Sequence, residues 1–183
     1  QLQSSNYIIM KHLSLVIGVL CLLLTACNEQ PVSQASYNQG INIIPKPQHL
    51  TEGEGFFRLN KNTSFSATDT EAQKVAEFIA SRINRSTGFS LKVMNQENVS
   101  KNAIALIIDP SLDTDNEGYT LDVTTENVTV KSKTPQGLFY GLQTFLQLLP
   151  AEVESPSAVN NISWVAPCVN IKDQPRFEYR GIM

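Results

Sequence analysis

The chain has 183 residues, with 14 Lys and Arg against 17 Asp and Glu, a formal net charge of −3 and 42% hydrophobic residues. No basic cluster stands anywhere in it, which excludes nucleic acid as the expected partner, since binding a phosphate backbone rests on concentrated Lys and Arg. The length suits one compact domain with its own core.

The chain opens on Gln1, and Met10 is the better start, so residues 1–9 read as upstream residues foreign to the protein. From Met10 the sequence runs "MKHLSLVIGVLCLLLTAC": a basic Lys11, an apolar run from Leu13 to Leu24, then Thr25, Ala26 and Cys27. That is the pattern of a secretory signal. The run falls short of the roughly 20 residues that cross a bilayer as a helix. Leu24, Thr25, Ala26 and Cys27 resemble the lipobox of bacterial lipoproteins. The resemblance implies that the Cys27 sulfur takes a diacylglycerol and that Cys27 becomes the mature N-terminus. Several acyl chains, at about 0.8 kcal/mol per buried CH₂, would give lasting attachment to a membrane of the cell envelope. Asn28, in place of Asp, favours the outer membrane. Cys21 would leave with the signal, so Cys168 is expected to be the single thiol of the mature chain, with no disulfide. Residues 28–39, "NEQPVSQASYNQ", are polar and turn-prone and suit a flexible tether.

Folding is expected from about Gly40. "INIIPKPQHL" is broken by Pro45 and Pro47, which predicts an edge strand or an extended lead-in. "FFRL" and "TSFSA" are short strands about the turn "NKN". Thr68 lies three residues before Glu71, a capping-box spacing. Ala72, Val75, Ala76, Ile79 and Ile83 then form one apolar stripe up to Gly88, which predicts a helix with one buried face. "FSLKVM" reads as a strand. "NAIALIID" places unbroken apolar residues from Ala103 to Ile108, the pattern of a central strand covered on both faces. "GYTLDV" and "VTVKS" alternate on either side of "TTEN" and predict a hairpin with Tyr119, Leu121, Val123, Val128 and Val130 on the core face.

In "TPQGLFYGLQTFLQLLP", Thr134 is a good N-cap and Pro135 a good first helical residue. Leu138, Leu142, Phe145 and Leu149 make the stripe, and Pro150 follows the end. Gly137 and Gly141 share one face; each costs up to about 1 kcal/mol against Ala, so a close approach to the sheet or to a neighbouring domain should compensate. "AEVESPSAVN" is a loop, and "ISWVAPCVNIKD" runs extended. The sum is an α+β fold, a mostly antiparallel sheet with both helices packed on one face. Residues 40–160 are its expected extent, with 161–183 a connection onward. The final "PRFEYRGIM" alternates Phe177, Tyr179, Gly181 and Met183 against Glu178, Arg180 and Ile182, the period of a strand.

Little in this domain promises chemistry. "DTDNEG", Asp113 to Gly118, mimics the start of a calcium loop, but the twelfth position is Thr124 where a bidentate Glu is needed. A solvated acidic turn is the expectation. His49 is the one histidine outside the signal, so neither a His-based triad nor a zinc site can be assembled. Cys168 reads as a small buried hydrophobe. No metal and no cofactor are expected.

Three stretches in order, "IIPKPQHL", "EGYTLDVTTENVTVKSKTPQGLFYGLQTFLQLL" and "VNIKDQPRFEYRGIM", resemble the family-20 glycoside hydrolases, the β-N-acetylhexosaminidases. The resemblance implies an α/β domain that precedes a (β/α)₈ barrel, with residues 175–183 as the first barrel strand and the other strands beyond Met183. It also implies that the catalytic pair, an adjacent Asp and Glu, lies beyond Met183. There the Glu protonates the leaving oxygen, and the Asp orients the 2-acetamido group of the substrate, whose carbonyl oxygen attacks the anomeric carbon. One sugar contact maps onto this chain, Arg180, whose guanidinium would bind hydroxyls of a terminal N-acetylglucosamine or N-acetylgalactosamine. From the residues alone, an ion pair of Arg180 with Glu178 or an unseen acid is the favoured reading, and Arg176 is a flanking solvated or interdomain residue. A different class also fits: a lipid-anchored, non-catalytic surface module that binds glycan or protein.

Overall fold

The two amphipathic patterns become helices α1 (Thr70–Thr87) and α2 (Pro135–Leu148) in a computed structural model that describes residues 40–96 and 101–177. The expected signal, Cys27, the tether and residues 178–183, Arg180 among them, lie outside the described residues. Between and around the helices run β1 (His49–Arg58), β2 (Ser64–Ser66), β3 (Val93–Met94), β4 (Ala103–Ile108), β5 (Tyr119–Val123), β6 (Asn127–Ser132) and β7 (Val165–Asp173). They form a seven-stranded sheet in the order β1-β7-β5-β6-β4-β2-β3. The ladders β1/β7, β7/β5 and β5/β6 are antiparallel, and β6/β4, β4/β2 and β2/β3 are parallel. The antiparallel ladders hold more of the paired residues, and both helices join the same core on one face. The α+β class is therefore as the patterning indicates.

The hairpin forms in the expected register, Leu121 opposite Val130 and Val123 opposite Val128. Its five apolar residues are all buried. Leu138, Leu142 and Phe145 of α2, which packs on β5 and β6, and Ala76, Ile79 and Ile83 of α1, which packs on β2, β3 and β4, complete the same core and are fully buried. Phe57 meets Phe145 edge to face, with centroids 6.3 Å apart. Each large apolar side chain so buried contributes about 1.5–3 kcal/mol.

Four expectations shift. The cap of α1 is Asp69, not Thr68: its carboxylate accepts from the N–H groups of Glu71 (2.8 Å) and Ala72 (3.0 Å), and a negative charge at a helix N-terminus adds to the cap. In "FSLKVM" only Val93 and Met94 pair as strand, because the Asn84 side chain holds Leu91 at both its N–H (2.8 Å) and its carbonyl (3.3 Å). β4 is covered on both faces only in part: Ala103 and Ala105 are buried away from the helix layer, while Ile107 on that side is 37% exposed. Finally, Val165–Asp173, read from the sequence as an extended run within the connection, is β7, bonded to β1 and β5 as the second strand of the sheet. The folded unit thus runs past Asn160.

The paired glycines of α2 meet the sheet. A Cβ on Gly137 would lie 2.0 Å from Ser132 Oγ and 2.5 Å from the Gly118 carbonyl oxygen; one on Gly141 would lie 2.5 Å from Val130 Cγ1. Only the absence of a side chain lets α2 sit this low over β5 and β6.

Candidate functional site

Where β7 ends, three segments converge. The lead-in contributes Ile43, Ile44 and Pro45, α2 contributes Tyr140, Thr144 and Gln147, and Asp173 to Phe177 leave the sheet, together lining a cavity of about 570 Å³. Hydrogen bonds hold the segments in place. Gln147 bonds the backbone of Ile44 twice: its Oε1 accepts from the Ile44 N–H (2.9 Å) and its Nε2 donates to the Ile44 carbonyl (3.1 Å). Asp173 Oδ1 accepts from the Gln48 N–H (3.0 Å), and Gln48 Nε2 donates to the Gln174 carbonyl (2.8 Å). The strand leaving the sheet is thereby stitched to the segment that enters it.

At the floor of the cavity the Tyr119 hydroxyl lies 2.6 Å from Thr144 Oγ1 and donates to Asp173 Oδ2 at 3.4 Å. Burial pushes the Tyr119 phenol up to about 12, with the Asp173 charge adding to the rise and the Thr144 hydrogen bond opposing it. The phenol keeps its proton at neutral pH and serves as a donor. These groups are committed to one another, an arrangement suited to holding chain in place.

The acidic turn beside this region is solvated, as the sequence indicates. The Asp113 carboxylate reaches out to Lys172 Nζ at 3.1 Å, and that hydrogen bond and charge hold it below the usual carboxylate range. Asp109 is likewise lowered, chiefly by the Ser111 hydroxyl, which donates to it at 2.6 Å. Thr124 sits in the β5–β6 turn, where its hydroxyl accepts from the Asn127 N–H (3.0 Å), away from any calcium-loop geometry. Among the described residues no group of three His, Cys, Asp or Glu could hold a metal ion. Cys168 is buried in β7, and burial, then the Asp122 charge, pushes its thiol up; it stays protonated and packs as a small hydrophobe.

Of the sequence-predicted site residues, Arg180 and Cys27 lie outside the described residues. Sequence reasoning missed Tyr119, Thr144 and Asp173 as a group. The available signal was Thr144, a polar residue on the buried side of α2 next to Phe145.

Comparison with known proteins gives a consistent result. The model of "Glycosyl hydrolase family 20, domain 2" matches residues 40–174. A beta-hexosaminidase of Porphyromonas gingivalis is 40% identical over 177 residues, which is 95% of this chain and 23% of that protein. A beta-hexosaminidase of Vibrio furnissii is 26% identical over 78% of this chain and 21% of its own length. Among solved structures, the Streptomyces plicatus N-acetyl-beta-hexosaminidase in complex with Thio-NAglucal superposes with a TM-score of 0.70 at 32% identity, over 75% of this chain and 27% of that one. The chain thus spans about a quarter of the length of the relatives it matches.

Proposed function

Because the chain belongs to glycosyl hydrolase family 20, we propose that it is the N-terminal, non-catalytic part of a secreted, exo-acting β-N-acetylhexosaminidase. The complete protein removes terminal β-linked N-acetylglucosamine or N-acetylgalactosamine from glycans by substrate-assisted, retaining hydrolysis. Its catalytic Asp–Glu pair stands beyond Met183, and residues 1–183 alone are inactive. The observation that carries this reading is the family match over residues 40–174.

Two residues of this chain take roles in that protein. Arg180 donates from its planar guanidinium to sugar hydroxyls, a task for which several fixed donors suit it. Cys27 carries the lipid that anchors the enzyme in the cell envelope, at the outer membrane.

Both roles can be tested in the full-length protein. A hydrogen bond from a charged donor is worth about 1.5–3 kcal/mol and about 1.36 kcal/mol is tenfold in rate, so Arg180→Ala lowers kcat/KM roughly 10- to 150-fold per bond lost. Arg180→Lys restores only part, since an ammonium keeps the charge and loses the fork. An Arg180→Ala protein that melts like wild type and turns over the sugar normally removes Arg180 from the substrate contacts. For Cys27, Cys27→Ser is expected to release the protein from the membrane fraction or leave the precursor uncut. Equal retention of mutant and wild type rules out the anchor.

A further inference from the structure

Resting on the reading that Arg180 contacts substrate in the complete hexosaminidase, we infer that Gln48 and Asp173 are positioning residues for Arg180, because they fix the direction in which the chain leaves β7. The β1/β7 ladder ends at the pair His49 and Lys172, and the β5/β7 ladder at Tyr119 and Asp173. Gln174 is the first residue past both ladders, and side chains take over there. The Asp173 carboxylate accepts from the Gln48 N–H at 3.0 Å and from the Tyr119 hydroxyl at 3.4 Å. The Gln48 side chain donates to the Gln174 carbonyl at 2.8 Å, and the Gln174 side chain accepts from the Asp115 N–H at 3.0 Å. Pro175 follows; a proline ring fixes its own φ and holds the residue before it to extended backbone. Arg180 stands five positions further on in the sequence.

Three features tie these bonds to direction more than to stability. Gln48 is exposed, as are both of its bonds to the exit, and a hydrogen bond made in solvent adds little to folding because water offers the same partners. Second, the segment that carries Gln48 is itself fixed. Gln147 of α2 bonds both the N–H and the carbonyl of Ile44, Pro45 and Pro47 limit the backbone between Ile44 and Gln48, and α2 is seated on the sheet through Gly137 and Gly141. Third, the lead-in, β5 and the acidic turn all reach the same two residues, Asp173 and Gln174. Five extended residues cover roughly 17 Å, so a tilt of a few degrees at Gln174 grows to a displacement on the order of 1 Å at the end of such a run. A misplacement of about 1 Å that originates far from the chemistry costs up to about 10²-fold in rate. A planar guanidinium, which offers its donors in a fixed fork, is sensitive to that placement.

The test is a double-mutant cycle in the full-length protein, read as kcat/KM on an aryl N-acetyl-β-glucosaminide together with thermal unfolding. Gln48→Ala is expected to lower kcat/KM roughly 10-fold while melting within about 2 °C of wild type. Asp173→Ala should lose at least as much, and Asp173→Asn, whose carbonyl oxygen still accepts from the Gln48 N–H, should recover most of it. In an Arg180→Ala background, Gln48→Ala should cost less than about 2-fold further, since a residue that acts through Arg180 has nothing left to position. Wild-type kcat/KM in Gln48→Ala, or the same fold-loss with and without Arg180, would overturn the inference; should Asp173→Ala fail to fold, Gln48→Ala decides alone. Loss at Arg180 with none at Gln48 defeats the positioning role and leaves the substrate contact standing. Wild-type turnover by Arg180→Ala defeats the substrate contact and the positioning role together.

Discussion

The two helices of this domain lie side by side on one sheet and are held by opposite means. α1 is fastened at its ends: Asp69 caps the first turn, the Asn84 side chain bonds Leu91 beyond the last, and Gly88 closes the helix at φ 72°, a left-handed value that suits glycine. Along its length it offers the sheet small residues, Ala72, Ala76 and Ala80, interleaved with Ile79 and Ile83. α2 is fastened in its middle. Gly137 and Gly141 let its backbone press on β5 and β6, and Thr144 meets the Tyr119 hydroxyl from the sheet. A helix that meets the sheet through side chains, as α1 does with Ala72, Ala76, Ile79 and Ile83, keeps its backbone off the strands. One seated on glycines has no room to move, because the atoms it touches belong to the sheet. The part of the helix layer that borders the cavity is therefore the rigid one.

The sharpest way to break this comparison is to place one new alanine in each helix. Gly137→Ala must drive a Cβ against the Gly118 backbone oxygen, which cannot rotate away. Overpacking of this kind costs typically 1–3 kcal/mol and occasionally more, so a loss of about 3 kcal/mol is expected by urea unfolding, despite the better helix propensity of Ala. Ser81→Ala on the exposed side of α1 should be within roughly 0.5 kcal/mol of wild type. Equal effects at the two positions would erase the distinction.

Next in size is the pH dependence of the Tyr119 contact beneath α2. Tyr119 is raised from 10.0 to about 12 in the folded protein. The unfolded chain loses this proton first, so the stabilisation is full below pH 10 and is lost as pH rises towards 12. The step is on the order of 2 kcal/mol, and Tyr119→Phe should flatten that segment of the stability curve. An unchanged slope in the Phe variant would detach Tyr119 from the locking of α2.

Smaller still is the cap of α1. Asp69→Ala should cost about 1 kcal/mol, with Asp69→Asn recovering most of it, and Thr68→Ala should cost less than either. The reverse ranking would return the cap to Thr68. At the bottom of the scale, Lys74 and Glu71 pair in full solvent on α1, and Lys74→Ala should leave the unfolding midpoint unchanged at physiological salt.

What was legible in the sequence follows the same division. α2 could be read completely, cap, first residue and stripe, because each rests on local chemistry: a Thr hydroxyl, a Pro ring, Leu at helical spacing. The hairpin was equally plain, since alternation about "TTEN" sets which residues face the core. Where tertiary contacts decide, the reading slipped. β1 begins at His49, although "HLTEGEG" lacks an apolar alternation, because its pairing with β7 needs only backbone groups across a register shift between Glu52 and Phe56. The glycine spacing in α2 announced a close approach to the sheet or to a neighbouring domain, and the neighbour is the sheet. β7 read only as an extended run within the connection, and its pairing on both sides is set by distant strands. The cavity was not visible at all: its Tyr119, Thr144 and Gln147 gain a role only when the lead-in and the end of β7 are brought to the same place.

The most direct measurement compares the full-length protein with residues 28–183, purified in parallel, for release of the aryl group from an aryl N-acetyl-β-glucosaminide. Hydrolysis by the full-length protein alone is the predicted result. Hydrolysis by residues 28–183 above a matched blank, or none by a folded full-length protein, would contradict the assignment of this domain as the non-catalytic part of a β-N-acetylhexosaminidase.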